Sequence, residues 1–177
     1  MGEIHEAIAF FNAMPMRNIM SHNILINGHV QHGDLESAIN VFDEMPERNV
    51  ATWNAMISGL VHFEFNENGL FLFREMHGLG FLPDEFTLGS VLRGCAGLRA
   101  SYAGKQGQQI HAEAIKAGAN SAVAVLSSLI SMYSKCGCLE DSMKALSDCE
   151  HLDAVLWSSD DCCLWISWAR RGSCSFI

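Results

Sequence analysis

The chain repeats itself, and this repetition constrains its fold more than any other feature of the sequence. At an offset of 31 residues, residues 11–18 match residues 42–49 in Phe, Met, Pro, Arg and Asn. A larger offset of 104 pairs residues 33–36 with residues 137–140. Self-similarity with a period of a few tens of residues is typical of proteins in which one small structural unit is stacked many times.

Each unit is predicted to be a pair of α-helices. One segment carries apolar residues at spacings of three and four, which place them on a single helix face: Leu35, Ala38, Phe42 and Met45. Gly33 can end the preceding helix in a left-handed conformation, and Asp34 can cap the next one. Pro46 then ends that helix, because proline lacks the backbone donor and clashes with the preceding turn. Helix pairs stacked at this period predict an all-α fold, an α-solenoid.

Composition limits what such an array could bind. The net charge is −9, so bulk electrostatics repel a phosphate backbone and any nucleic-acid interface must depend on local geometry. Hydrophobic residues make up 49% of the chain, which excludes a disordered polyelectrolyte. No apolar run is long enough for a membrane span, so no membrane partner is expected. The seven cysteines follow no secretory signal and are predicted to be reduced thiols.

The motifs of the chain resemble a known repeat family. Residues 50–59, followed by residues 73–76 and 80–84, closely resemble a pentatricopeptide repeat. The alternation of short, standard and long units resembles the PLS class of land-plant pentatricopeptide repeat proteins. We assign a partial unit that holds only a second helix (2–18), a short unit (19–49), a 35-residue unit (50–84), a long unit (85–122), a short unit (123–153) and the start of another (154–159). The resemblance implies antiparallel helix pairs wound into a right-handed superhelix.

The resemblance also implies which side chains contact RNA. In this family the fifth residue of each first helix and the last residue of each unit contact a base edge. The fifth residues are Asn23, Asn54, Gly89, Ser127 and Ser158, and the last residues are Asn18, Asn49, Asp84 and Asp153. Second residues flank the base, and they are Met20, Ala51, Phe86, Ala124 and Val155. The alternative is that the Asn side chains only cap turns or lie on a helix surface.

The function implied by the resemblance is sequence-specific binding of single-stranded RNA. The expected base order, 5′ to 3′, is a pyrimidine (more often cytosine), uracil, any base, guanine and a purine. Organellar RNA editing or processing, in a mitochondrion or chloroplast and with proteins of an editing complex, is implied in the same way. No cofactor or metal is expected. Two alternatives stay open: a helical-repeat scaffold for protein partners, favoured by the acidic composition, and a non-functional product of a disrupted gene.

One catalytic pattern competes with a binding role. His111 and Glu113 form the His-x-Glu pair of zinc-dependent nucleobase deaminases, with Cys136 and Cys138 following. Those enzymes space their two cysteines with two intervening residues after a proline, and neither condition is met here. The repeat pattern already accounts for these residues, so the chain is predicted not to be an enzyme.

Both ends of the chain depart from the repeat pattern. The chain opens at the junction between the two helices of a unit, without a transit peptide, and the pattern stops after Ser159. Residues 160–177 can be back-translated to codons that continue the repeat when one nucleotide is dropped. We therefore expect a fragment or a shortened gene, with a one-nucleotide frameshift near codon 160 and no evolved role for residues 160–177.

Overall fold

The computed structural model describes residues 2–98 and 100–147, and within these ranges the chain is entirely helical, without a β-strand. The helices are α1 (Gly2–Ala13), α2 (Ile19–Gln31), α3 (Leu35–Glu44), α4 (Val50–His62), α5 (Asn66–Gly78), α6 (Glu85–Ala96), α7 (Ala100–Lys116), α8 (Val123–Lys135) and α9 (Leu139–Ser147). The all-α prediction is confirmed. None of these nine helices has the length and apolar content that crossing a bilayer requires.

The helix ends lie where the sequence predicts them. Gly33 has a φ of 77°, a left-handed conformation that ends α2 and that side-chain-bearing residues rarely adopt. Asp34 caps α3 by accepting the backbone N–H of Ser37 at 3.1 Å. Met45 leaves helical geometry directly before Pro46, as expected for a residue that precedes proline.

The helices form two layers. Each even-numbered helix from α2 to α8 contacts the next even-numbered helix, and each odd-numbered helix contacts its even-numbered neighbours in the chain. In the part of the chain that the structure describes, the odd-numbered helices do not come into comparable contact with one another. The even-numbered helices α2, α4, α6 and α8 therefore form one continuous layer, and we call them the inner helices. This is the α-solenoid predicted from the repeats.

A continuous core lies between the layers. Fully buried apolar side chains come from successive units, among them Ile26, Trp53, Met56, Ile57, Met76, Leu88, Leu92 and Leu129. Each such side chain contributes about 1.5–3 kcal/mol on burial. Arg48 joins one unit to the next, because its guanidinium lies 4.4 Å from the ring centre of Phe42 and 5.9 Å from that of Trp53. Where α4 packs on α2, a Cβ at Gly59 would lie 2.8 Å from the Val30 Cγ1, so glycine allows the close approach.

Candidate nucleic-acid interface

Three of the inner helices begin with the same capping structure. In a capping box, the side chain of the N-cap residue accepts the backbone N–H three positions later, and that residue's side chain accepts the N-cap N–H. The N-cap residues of α2, α4 and α6 are Asn18, Asn49 and Asp84, and their partners are Ser21, Thr52 and Thr87. Each N-cap is also the last residue of a unit assigned from sequence. The capping role considered as an alternative for Asn residues is therefore observed at Asn18 and Asn49.

At the start of α4, the capping box extends to the neighbouring inner helix. We call Asn23, Asn49 and Thr52 the first junction. The backbone N–H of Thr52 donates to Asn49 Oδ1 at 3.0 Å, and the backbone N–H of Asn49 donates to Thr52 Oγ1 at 3.3 Å. Thr52 Oγ1 then donates to Asn23 Oδ1 at 2.7 Å, and Asn23 Nδ2 donates to Asn49 Oδ1 at 3.4 Å. Asn23 and Asn49, the fifth and last residues of one unit, are thus joined through the hydroxyl of Thr52 in the next unit.

The start of α6 repeats this arrangement one unit later. We call Asn54, Asp84 and Thr87 the second junction. Thr87 donates its backbone N–H to Asp84 Oδ1 at 2.8 Å and its hydroxyl to Asn54 Oδ1 at 2.5 Å. Asn54 Nδ2 lies 3.1 and 2.9 Å from the two carboxylate oxygens of Asp84. The same three positions therefore form the same ring of hydrogen bonds at two successive junctions.

The Asp84 carboxylate stays ionised at neutral pH. Partial burial raises its pKa, but several hydrogen bonds outweigh that effect and hold the pKa below its ordinary value. The donors are the backbone N–H groups of Thr87 and Phe86 and the amide of Asn54. The second junction thus carries a negative charge where the first junction carries the neutral amide of Asn49.

The next junction, between α6 and α8, has no such ring. Gly89 stands at the fifth position, Val125 replaces the threonine, and the N-cap Ala122 makes no side-chain cap. A Cβ at position 89 would lie 3.4 Å from the carbonyl oxygen of Ala124. The Ser127 hydroxyl, one unit later, donates to that same carbonyl at 3.2 Å. We call Gly89, Ala122 and Val125 the third junction.

A groove lies against the first junction. It has a volume of about 680 Å³, and residues singled out from sequence line it: Asn18, Met20, Asn23, Asn49 and Ala51. Met20 is 71% exposed, and Ala51 is also exposed. The structure therefore brings a fifth residue, two last residues and two second residues together around one opening.

The second residues of the later units are also accessible. Phe86 is 56% exposed and Ala124 is exposed, each in the first turn of its inner helix. Exposed apolar side chains at this repeated position leave a row of small apolar surfaces along the array. Asp153, Val155 and Ser158, together with residues 160–177, lie outside the described residues, so their assignments rest on sequence.

The histidine of the deaminase-like pattern is engaged with a tyrosine. His111 Nδ1 lies 2.9 Å from the Tyr133 hydroxyl oxygen, and burial raises the pKa of Tyr133 to about 12. Within residues 2–98 and 100–147, no three His, Cys, Asp or Glu side chains are placed to hold a metal ion. Burial likewise raises the pKa of the Cys95 thiol to about 12, so this cysteine is an uncharged core residue.

Sequence reasoning missed Thr52 and Thr87 as parts of this site. Their side chains are fully buried, and in a sequence a threonine in the first turn of a helix is unremarkable. The available signal was the capping-box spacing, a polar N-cap followed three positions later by a hydroxyl. Its recurrence at both Asn-containing junctions, and the valine at the third junction, could have identified them.

Known proteins share this sequence pattern. A profile of the PPR repeat family matches residues 17–51 and 48–97, and a profile of the PPR repeat matches residues 124–151. Pentatricopeptide repeat-containing protein At2g41080 of Arabidopsis thaliana is 40% identical over 158 residues, covering 89% of this chain and 19% of that protein. Putative pentatricopeptide repeat-containing protein At3g05240 of the same plant is 34% identical over 162 residues, covering 89% of this chain and 22% of that protein.

The two matching profiles describe the same repeat and together cover more than half of the chain. The chain therefore belongs to the pentatricopeptide repeat family. Shorter matches include pentatricopeptide repeat-containing protein At5g52850, chloroplastic, from Arabidopsis thaliana, which is 41% identical over 50% of this chain and 10% of that protein. The chain thus spans between 10% and 22% of the length of these relatives.

Proposed function

We propose that the chain binds single-stranded RNA sequence-specifically along the layer of inner helices, with one base at each junction. The observation that carries this proposal is the ring of hydrogen bonds that recurs at the first and second junctions. Each ring places a fifth residue beside a last residue, as base recognition in this family requires. Each also lies next to exposed second residues on both sides.

At the first junction, the ring leaves hydrogen-bond donors for a base. Asn49 Oδ1 accepts from Thr52 and Asn23, and Asn23 Oδ1 accepts from Thr52. The groups left over are amide protons, on Asn49 Nδ2 and on the second N–H of Asn23 Nδ2. Two donors match the N3 and O2 acceptors of cytosine better than the N3–H of uracil. The first junction is therefore proposed to select cytosine.

At the second junction, one of these donors is replaced by an acceptor. Asp84 carries no proton at neutral pH and can only accept, whereas Asn54 Nδ2 donates. One acceptor beside one donor matches uracil, which donates N3–H and accepts at its carbonyl oxygens. Cytosine would place its unprotonated N3 against the carboxylate. The second junction is therefore proposed to select uracil.

The remaining positions extend the motif by resemblance. Gly89 offers no side-chain hydrogen bond, so its unit is proposed to accept any base. Ser127 with Asp153 is proposed to select guanine, and Ser158 a purine. Exposed apolar second residues, such as Met20 and Phe86, would pack against the faces of neighbouring bases.

Charge adds little to the affinity. With a net charge of −9, the chain releases few counterions from RNA, so the binding free energy must come from base contacts. We therefore expect weak binding with a shallow salt dependence.

The test compares two RNAs of identical composition. The full chain is titrated with 5′-CUAGA-3′ and with 5′-UCAGA-3′, each in the presence of duplex DNA as competitor. Each mismatched base is expected to cost about 1–3 kcal/mol, so with two mismatches against the second RNA the first should bind at least about 30-fold more tightly. Equal affinities would contradict base selection at the two junctions. If neither RNA is retained, the two remaining interpretations are a scaffold for protein partners, which the acidic composition favours, and a non-functional product.

The wider role is proposed at the level of the whole protein. We propose membership of the PLS class and a part in organellar RNA editing or processing, together with proteins of an editing complex. The names of relatives support an organelle: one is called chloroplastic, and another, 42% identical over 51% of this chain, is called mitochondrial. Microscopy of the tagged full-length protein, with RNA sequencing after loss of its gene, tests both points.

A further inference from the structure

In each ring, the backbone fixes the direction of two hydrogen bonds. At each junction, two backbone N–H groups donate, one from the N-cap residue to the threonine Oγ1 and one from the threonine to the N-cap side chain. Backbone N–H groups cannot act as acceptors. The threonine oxygen therefore receives a hydrogen bond, and its own single proton must point elsewhere.

That proton has two acceptors within reach, and the distances show which of the two is nearer. Thr52 Oγ1 lies 2.7 Å from Asn23 Oδ1 and 3.0 Å from Asn49 Oδ1. Thr87 Oγ1 lies 2.5 Å from Asn54 Oδ1 and 2.8 Å from Asp84 Oδ1. In both rings, the fifth-position Asn of the preceding unit is the nearer acceptor.

We infer that Thr52 and Thr87 are specificity-positioning residues, each fixing the amide orientation of the Asn that contacts the base in the preceding unit. This inference rests on the proposed function. An Asn side chain presents a donor or an acceptor depending on which way its amide is turned. With Oδ1 held by the threonine hydroxyl, the amide presents Nδ2–H to the last residue and to the base.

The burial of these residues supports this role. Both threonines are fully buried, and Asn54 is only 9% exposed, so water does not compete for the hydroxyl. The third junction offers a contrast within the same chain, since Val125 takes the threonine position where the fifth residue is Gly89. At the first two junctions, which have an Asn amide to orient, this position carries a threonine hydroxyl. At the third junction, which has no such amide, a valine methyl replaces the hydroxyl.

The test removes the hydroxyl while keeping the shape of the side chain. Thr87→Val has nearly the same volume, and Thr87→Ser, the matched control, keeps the hydroxyl. Each full chain is titrated with 5′-CUAGA-3′ and 5′-CCAGA-3′, which differ only at the base of the second junction. We expect Thr87→Val to reduce the preference for uracil over cytosine by about fivefold or more, since a well-oriented base contact discriminates at least to that extent. Thr87→Ser should retain the preference of the unchanged chain.

A second variant keeps the test valid even if Thr87→Val does not fold. Thr52→Val should reduce discrimination at the base of the first junction, measured with 5′-CUAGA-3′ against 5′-UUAGA-3′, and leave the second base unaffected. If Thr87→Val does not fold, as judged by circular dichroism, the Thr52→Val result decides. Equal loss of affinity for both RNAs of a pair would overturn the inference, because a residue that only caps a helix would act that way. If the unchanged chain binds no RNA, the proposed function fails and this inference fails with it.

Discussion

The first and second junctions hold the same hydrogen-bonded ring with different electrostatics. Asn23 is half-exposed and pairs with the neutral Asn49, whereas Asn54 is almost buried and pairs with the anionic Asp84. Each N-cap side chain accepts the backbone N–H of the threonine three positions later, at 3.0 Å for Asn49 and 2.8 Å for Asp84. The scaffold therefore tolerates either residue, and the two junctions differ in the charge and hydrogen-bonding groups of the last residue.

The third junction shows what happens when the ring is absent. Gly89, Ala122 and Val125 replace all three ring positions together, yet α6 and α8 still pack against each other. The polar ring is thus not required for inner helices to stack. This supports a role for the ring in selecting a base rather than in holding the array together.

Exchanging the two last residues, Asn49 and Asp84, should have the largest effect. The double variant Asn49→Asp with Asp84→Asn keeps the composition, the net charge and both capping boxes. Its preference should reverse, from 5′-CUAGA-3′ to 5′-UCAGA-3′, with a total change of about 4 kcal/mol or more, because the preference at each of two bases changes sign. Competition binding with the two RNAs measures this. An unchanged preference would show that Asn49 and Asp84 do not select bases.

A single change at the second junction should convert its proposed preference for uracil into a preference for guanine. Asn54→Ser removes the amide that bonds both oxygens of Asp84, and the freed carboxylate can accept N1–H and N2–H of guanine together. The expected shift at that base is about 1–3 kcal/mol, measured with RNAs that vary only there. The control is Asn23→Ser, where no carboxylate is available and no guanine preference should arise. A change at a distant base instead would contradict the assigned register.

The third junction can be made more like the other two. Ala122 is the N-cap of α8 and provides no side-chain acceptor, so Ala122→Asp should stabilise the fold by about 1 kcal/mol. Urea unfolding of the two chains measures the difference. Ala122→Leu, which cannot cap, serves as the control and should bring no gain from capping. No stabilisation by Asp would mean that its carboxylate fails to reach the helix start.

The smallest expected difference between the first two junctions is in how their contribution to the stability of the fold changes at acidic pH. The pKa of Asp84 in the folded chain lies below its unfolded value, so its stabilising contribution is complete above the unfolded pKa of about 3.9. That contribution is lost as the pH falls through the folded pKa. Urea midpoints of the unchanged chain and of Asp84→Asn should therefore converge or cross below about pH 4. Parallel curves would show that Asp84 has no shifted pKa.

Much of the fold could be predicted from the sequence because it depends on local rules. The apolar spacing and the cap residues Gly33 and Asp34 each act within a few residues, and the structure shows those helix ends. The threonine contacts could not be predicted, because Thr52 reaches Asn23 over 29 residues of chain. Their partners come together only when one unit stacks on the next. Base selection by Asn23, Asn54 and their partners stays a prediction.

The shared position between neighbouring units has a consequence for how such a protein can evolve. Asn49 and Asp84 each belong to one unit as its last residue and to the next as its helix cap. Short polar residues are the ones that cap helices well, so few residue types satisfy both demands. Under the proposed function, drift among them would change the preferred RNA sequence while the fold persists. Drift to a large apolar residue would remove the cap together with the proposed base contact, so selection for stability alone would keep short polar residues at the positions proposed to recognise bases.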